Sequence, residues 1–308
     1  MGIKNLNKLI KENAPGCIEQ VKDLTEFDLW AIGFDASLII YQMVSVGIKY
    51  NIKNKQGQYI NHISGVFFRM LKMIMFGVTP VMVFDGVPPK LKGATLAKRK
   101  AARDAGTNVR VPREVFDEVK KLLTLMGVKV IQAPSEAEAE IAVLTQMDVL
   151  NAGATADTDI LAFGSKRMIK GLDTAAKNVT VIDHDELLKE LKLTQGQFVD
   201  LCILLGSDYS SGLPKIGPKR ALALIREYGT IEKILAGEKI KAPAEFNFVE
   251  ARNEFINPIV TREKFDPEVK KLYPEDIDSL REFLITTHGL EASRVNKSLI
   301  DLAKFHNV

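Results

Sequence analysis

Seven acidic residues stand where a folded chain could bring them together: Asp35, Asp85, Glu136, Glu138, Asp157, Asp159 and Asp208. Asp35 follows the short apolar run Leu29–Phe34, and Asp85 follows Val81–Phe84. Asp157 and Asp159 follow Gly153–Ala156 and are two residues apart. In extended chain that spacing points both side chains the same way. Glu136 and Glu138 belong to the run APSEAEAE, which reads as a helix start. A purely structural role competes there. Ser135 and Glu138 have capping-box spacing, and acids in a first turn suit the helix dipole. Asp208 follows a helix closed by Gly206 and reads equally well as a turn aspartate.

Convergence decides what such acids could do. Two like charges at ~4 Å repel by roughly 4 kcal/mol at an effective dielectric near 20. A pocket of six or seven carboxylates therefore needs cations. An all-oxygen donor set without His or Cys suits Mg2+, with Mn2+ as a substitute. Two such ions ~4 Å apart form a clamp for in-line displacement at phosphorus.

Cations follow in sequence. The stretch Lys90–Arg113 holds Lys90, Lys92, Lys98, Arg99, Lys100, Arg103, Arg110 and Arg113, opposed only by Asp104. Such a run is often a solvated helix face. Placed directly after Asp85, it could also grip a phosphate and stabilise charge developing in a transition state. Lys92 and Arg99 are seven apart, so in a helix they share one face. A second basic element is KIGPKR, with Gly217, Lys219 and Arg220. Pro218 suits a helix first turn, and free backbone N–H groups there could hold a duplex phosphate.

These residues need a frame. The acids follow short apolar runs, including a further strand expected at Val128–Gln132. Helical patterns lie between them at Ile63–Phe76 and Glu114–Met126. Alternating strands and helices predict an α/β fold, a mainly parallel twisted sheet with helices on both faces. The carboxyl ends of such strands form the ligand crevice. After Thr194 the strand signal fades. Helices at Phe198–Leu205 and Lys219–Tyr228, joined by a turn at Leu213–Pro218, form a helix–turn–helix unit.

The 308 residues are 46% hydrophobic and 26% charged, enough for a sizeable core. The net charge of +3 does not by itself indicate nucleic acid; the clustering of the basic residues does. Leu6 excludes a myristoylation motif. No apolar h-region follows the first residues, so a signal peptide is not expected, and no apolar run approaches the ~18 residues of a membrane span. Cys17 and Cys202 read as buried thiols of a reducing compartment.

The chain resembles a flap endonuclease of the structure-specific 5′ nuclease (XPG) family. The matching stretches are MGIKNLNKLI, FDASLIIYQ, VFDGVPPKLK with LAKR, APSEAEAE, ATADTDILAFGS, QFVDLCILLGSDY and IGPKRAL. They run in order through Tyr228; beyond it the likeness is weak, mainly PEDIDSLREFL.

The resemblance implies a PIN-like nuclease core. Residues 1–107 would form the N-terminal nuclease region with a basic arch, 122–208 the internal region, 196–230 a helix-two-turn-helix DNA-binding element and 231–308 a C-terminal helical region, all one globular unit. All seven acids fall on the family's ligands for two Mg2+ ions. Lys92 and Arg99 fall on its phosphate-gripping catalytic positions, and Tyr41 on a base-stacking aromatic. Gly2, Arg69 and Gly206 fall on further DNA-binding positions, beside the Gly217, Lys219 and Arg220 element already read as a DNA contact. The implied activity is a magnesium-dependent cut of DNA at a 5′ flap or nick, with 5′-3′ exonuclease activity, in replication and repair. The expected protein is a monomer inside the cell, in the nucleus if eukaryotic or at the site of viral DNA replication if viral.

Several departures qualify this. The Asp85–Glu136 interval, which forms the arch, is shorter than in cellular flap endonucleases, so a requirement for a free 5′ end stays open. Gly212 and Lys215 replace the family's Ser and Gly in a turn that binds K+, so that ion stays open too. Ala156 replaces an acid beside Asp157. A sliding-clamp peptide of the form Q-x-x-L-x-x-F-F is absent, leaving a clamp partner open. The alternatives are a 5′ exonuclease or junction resolvase of the same superfamily, and a non-catalytic DNA-binding scaffold. A phosphatase with an Asp-x-Asp nucleophile fits less well, because the first strand ends Asp35-Ala36-Ser37.

Overall fold

The apolar runs become neighbouring strands of one seven-stranded sheet. The computed structural model describes residues 2–93, 95, 97, 101, 109–172, 179–243, 246–262, 265 and 276–306. In chain order the strands are β1 (Ile18–Val21), β2 (Ala31–Asp35), β3 (Thr79–Phe84), β4 (Lys129–Gln132), β5 (Ala152–Ala154), β6 (Arg167–Lys170) and β7 (Val179–Asp183). Across the sheet the order is β1-β7-β6-β5-β2-β3-β4. The strands β6, β5, β2, β3 and β4 run parallel. The β1–β7 and β7–β6 pairs are antiparallel.

Every residue of β2 and β3 is buried, as expected for strands covered on both faces. Their side chains alternate between two cores. Val81 and Val83 enter one, with the helices Ala137–Gln146 and Gln195–Leu205. Met82 and Phe84 enter the other, with the helices Ala36–Lys49, Asn61–Met75 and Arg113–Leu125.

Two differences from the sequence reading have local causes. Leu29 lies outside the first strand: it takes φ 63 and is 60% exposed, in the turn before β2. The strands β1, β6 and β7 escaped the hydrophobic pattern. β1 reads IEQV with only Val21 buried, and backbone pairing with β7 holds it. The helix–turn–helix forms as expected, between Gln195–Leu205 and Pro218–Tyr228. Thr194 and Gln197 make a reciprocal capping box at its start. Both cysteines are free and buried, and burial with Glu190 and Asp183 pushes the Cys17 thiol up to about 12. Among the described residues no helix is long and apolar enough to cross a membrane.

Candidate active site

Because β5, β2, β3 and β4 are adjacent and parallel, their carboxyl ends open on one edge. Between β2 and β5 the chain order reverses, and a crevice forms at such a switch point. A cleft of about 1080 Å³ lies there. Asp35, Asp85, Glu136, Glu138, Asp157 and Asp208 all line it.

Each acid is held by backbone. Asp35 ends β2 and caps the next helix, accepting from Leu38 N at 3.0 Å. Asp85 follows β3 and accepts from Ala137 N at 2.9 Å, across the sheet edge. That bond replaces the capping box expected of Ser135 and Glu138. Glu136 occupies the N-cap without a side-chain bond, and a distant carboxylate satisfies the helix start. The other half of the APSEAEAE run divides. Glu138 meets Asp35 and Asp157, whereas Glu140 is fully buried and accepts from Thr261 N at 2.8 Å.

Asp157 and Asp159 do not project in parallel from extended chain. The strand ends at Ala154, and the backbone turns into the short helix Asp159–Ala162. Asp157 accepts from Asp159 N at 3.1 Å. Both oxygens of Asp159 are sealed from solvent without a hydrogen-bond partner. Asp208 follows the helix ending at Leu205 and completes the lining.

Burial raises Asp35, Glu136, Glu138, Asp157 and Asp159 toward neutrality. Desolvation, then Asp85, pushes Asp35 up to about 7. Desolvation pushes Glu136 up to about 7 against the pull of Lys92. Glu138 and Asp159 rise well above the carboxylate range, first from burial and then from neighbouring acids. Such a set is tolerable with charge beside it. Among the described residues Lys92 supplies it, pairing with Glu136 and lying 3.4 Å from Asp208. Burial pulls the Lys92 ammonium down, but Glu136, Asp208 and Asp159 hold it above the ordinary lysine range.

The all-oxygen donors and the orphaned Asp159 oxygens fit hard divalent cations of the Mg2+ type. Residues 1–106 match the XPG N-terminal domain and residues 127–208 the XPG I-region. The chain belongs to the XPG family. It is 37% identical to Flap endonuclease 1 of Plasmodium yoelii yoelii, over all of this chain and 72% of that protein. It is 38% identical to Flap endonuclease 1-A of Sorghum bicolor, over 97% of this chain and 86% of that one. The fold superposes on the catalytic core of Rad2 in complex with DNA substrate with TM-score 0.79. There the identity is 27%, over 98% of this chain and all of the other. A flap endonuclease from Methanococcus jannaschii, 24% identical, shares the fold with TM-score 0.76 over 94% of this chain and 96% of that one.

Within this XPG fold the other expected site residues fall in different places. Tyr41 lines the cleft, its ring 6.1 Å from that of Phe116. Arg99 lies outside the described residues, as do Lys98, Lys100, Arg103 and Asp104. Arg69 is buried, donating to Leu172 O at 2.7 Å and to Gln42 at 3.4 Å. In this arrangement it braces the sheet and is not presented to a surface. Gly2 takes φ 90, and a Cβ there would stand 2.3 Å from Asp157 Oδ1. The adjoining Ile3 N donates to Thr158 and Lys4 N to the Gly206 carbonyl. The N-terminus thus ties the Asp157 loop to the Gly206 turn.

Gly217 is the N-cap of the Pro218–Tyr228 helix, with Lys219 and Arg220 exposed and Arg220 paired to Glu238 at 2.8 Å. Lys215 takes φ 65, a left-handed conformation natural to the glycine expected there. Arg113, the last cation of the basic stretch, lines the cleft as well, together with Lys120, which no sequence pattern singles out. Their helix was legible, but which face it turned to the crevice was not.

Proposed function

We propose that this protein is a metal-dependent, structure-specific flap endonuclease that hydrolyses DNA near a junction of duplex and 5′ single strand. The observation that carries this reading is the meeting of six acids and Lys92 in one cleft at the carboxyl edge of the sheet. Asp35, Asp85, Glu136, Glu138, Asp157, Asp159 and Asp208 would hold two divalent ions. When bound, the ions supply Lewis acidity and neutralise charge at the phosphorus and the leaving 3′ oxygen.

The chain's own groups do the remaining work. Asp35 and Asp85 are fixed by backbone N–H donors, so the ligand oxygens are preorganised. Lys92 would exchange its carboxylate partners for a phosphate oxygen as charge develops there. Tyr41 would stack on a base beside the scissile phosphate. The N-terminus of the Pro218–Tyr228 helix, with Lys219 and Arg220, would grip a duplex phosphate without reading sequence.

End-labelled 5′-flap, end-blocked flap, nicked, gapped and four-way-junction DNAs, incubated with Mg2+, test the reading. Cleavage of the flap at its base, lost in Asp157→Ala, is expected. Preferential cutting of the four-way junction would favour a resolvase. Tight binding to all substrates without cleavage in Mg2+ or Mn2+ would leave only a scaffold.

A further inference from the structure

A second cluster of metal-binding side chains lies outside the acidic cleft. His62 opens the helix Asn61–Met75, Glu118 lies within Arg113–Leu125, and His288 follows the π-helical turn Phe283–Thr287. One ligand atom from each lies within 4.8 Å of the others. Irregular π turns recur where a side chain must be aimed at a site.

The ordinary explanation covers only part of this. His62 Nε2 and Glu118 Oε2 form a hydrogen bond of 2.8 Å. His288 is left out of it: the residue is 8% exposed, and its Nε2 is shut off from solvent with no hydrogen-bond partner. A buried ring nitrogen without a partner is costly, and its lone pair is what a metal ion takes. Desolvation lowers the His288 pKa, with Lys121 and His62 pushing the same way and Glu118 opposing. The ring is thus biased toward the neutral form that ligates.

We propose that His62, Glu118 and His288 form a site for a borderline divalent transition ion of the Zn2+ class. Two imidazoles and one carboxylate are a zinc-type donor set, distinct from the all-oxygen set of the cleft. Ligand atoms ~2.0–2.2 Å from a tetrahedral ion stand roughly 3.3–3.5 Å apart. The His62–Glu118 contact of 2.8 Å therefore opens slightly on binding. The Glu118 side chain is 43% exposed, which gives an ion its way in and leaves the fourth position to water. The bound ion would fasten the C-terminal segment to the two helices that pack on the sheet. Its role is structural, and the acidic cleft does not depend on it.

Co2+ titrated into the full chain with excess Mg2+ present reads the site directly, since imidazole-ligated Co2+ absorbs in the visible. We expect one saturable equivalent, displaced by Zn2+, and a rise in the thermal midpoint with Zn2+. Glu118→Gln retains a hydrogen-bonding partner for His62, so the fold is kept. It and His288→Gln should each weaken Co2+ binding at least tenfold. Glu118→Gln should leave Mg2+-dependent cleavage of flap DNA unchanged, which separates this site from the proposed nuclease centre. Absence of a saturable spectrum, or one that persists in both variants, would overturn the proposal.

Discussion

Lys92 Nζ lies 3.4 Å from Asp208 Oδ2 while also pairing with Glu136. The lysine proposed to grip a phosphate therefore sits among the acids and partly neutralises them. It is 13% exposed at the side chain and lies over the Tyr209 ring, 5.2 Å from its centre. A buried ammonium so placed can follow charge from carboxylate to phosphate with little movement. Lys92→Met should lower the single-turnover cleavage rate by ~10²–10³-fold, the usual loss for one transition-state donor. Flap-DNA affinity measured with Ca2+ should change little. A variant with normal turnover and weakened binding would make Lys92 a docking residue only.

Asp159 carries two buried oxygens with no partner, and burial first, then its neighbours Asp157 and Asp208, push its pKa up. Such a group strains the ion-free protein. Asp159→Asn should abolish cleavage yet raise the thermal midpoint in EDTA, a trade of stability for function. A fall in both would show that the aspartate is needed for the fold itself.

The acids also set a pH dependence. Asp35 and Glu136 are pushed up to about 7 in the folded state, above the ~4 of an unfolded carboxyl. The folded, ion-free protein therefore binds more protons than the unfolded chain between those values. Stability from these groups is full below ~4 and is lost as pH rises through about 7. Melting in EDTA should thus occur at lower temperature at pH 8 than at pH 5. Added Mg2+ should stabilise most at pH 8, where the site is deprotonated. An EDTA midpoint that is flat or rises over this window would contradict the electrostatic account.

Gly2 packs against Asp157 with a left-handed φ. Gly2→Ala should displace the Asp157 loop and raise the Mg2+ concentration needed for half-maximal cleavage. A variant with normal Mg2+ dependence but weaker DNA binding would assign Gly2 to the DNA instead.

Arg252 makes a two-pronged contact with Asp200, at 2.6 and 2.8 Å, and reaches Glu232 at 2.7 Å. Asp200 is 3% exposed at the side chain and lies in the first helix of the helix–turn–helix unit. Arg252→Ala would leave the buried Asp200 carboxylate without its cationic partner, still accepting from Ile231 N at 3.1 Å, at a cost of up to ~3–5 kcal/mol. Urea unfolding at pH 7 should show that loss. Restoring it with Asp200→Asn in the same chain would confirm the cause.

The sequence determined which residues could do chemistry and which elements carry them. Strand–acid pairs such as Phe84–Asp85 repeat a local pattern. Short apolar runs place the central strands, and the 3.6-residue pattern places the helices between them. Local rules were less reliable where a distant group intervened. Ser135 looks like a cap because the spacing fits, but Asp85 takes the Ala137 N–H from across the sheet. The two-residue spacing predicts parallel side chains for Asp157 and Asp159 in a continuing strand, whereas the strand ends at Ala154 and the backbone turns. Glu138 and Glu140 are two residues apart in one helix and so face different sides, but only packing decides that Glu138 meets the acidic cleft and Glu140 holds Thr261. The tertiary structure alone decided these outcomes. It also decided that His62, Glu118 and His288 meet. Long-range hydrogen bonds and desolvation depend on which surfaces pack, and that packing is not encoded in the spacing of neighbours along the chain.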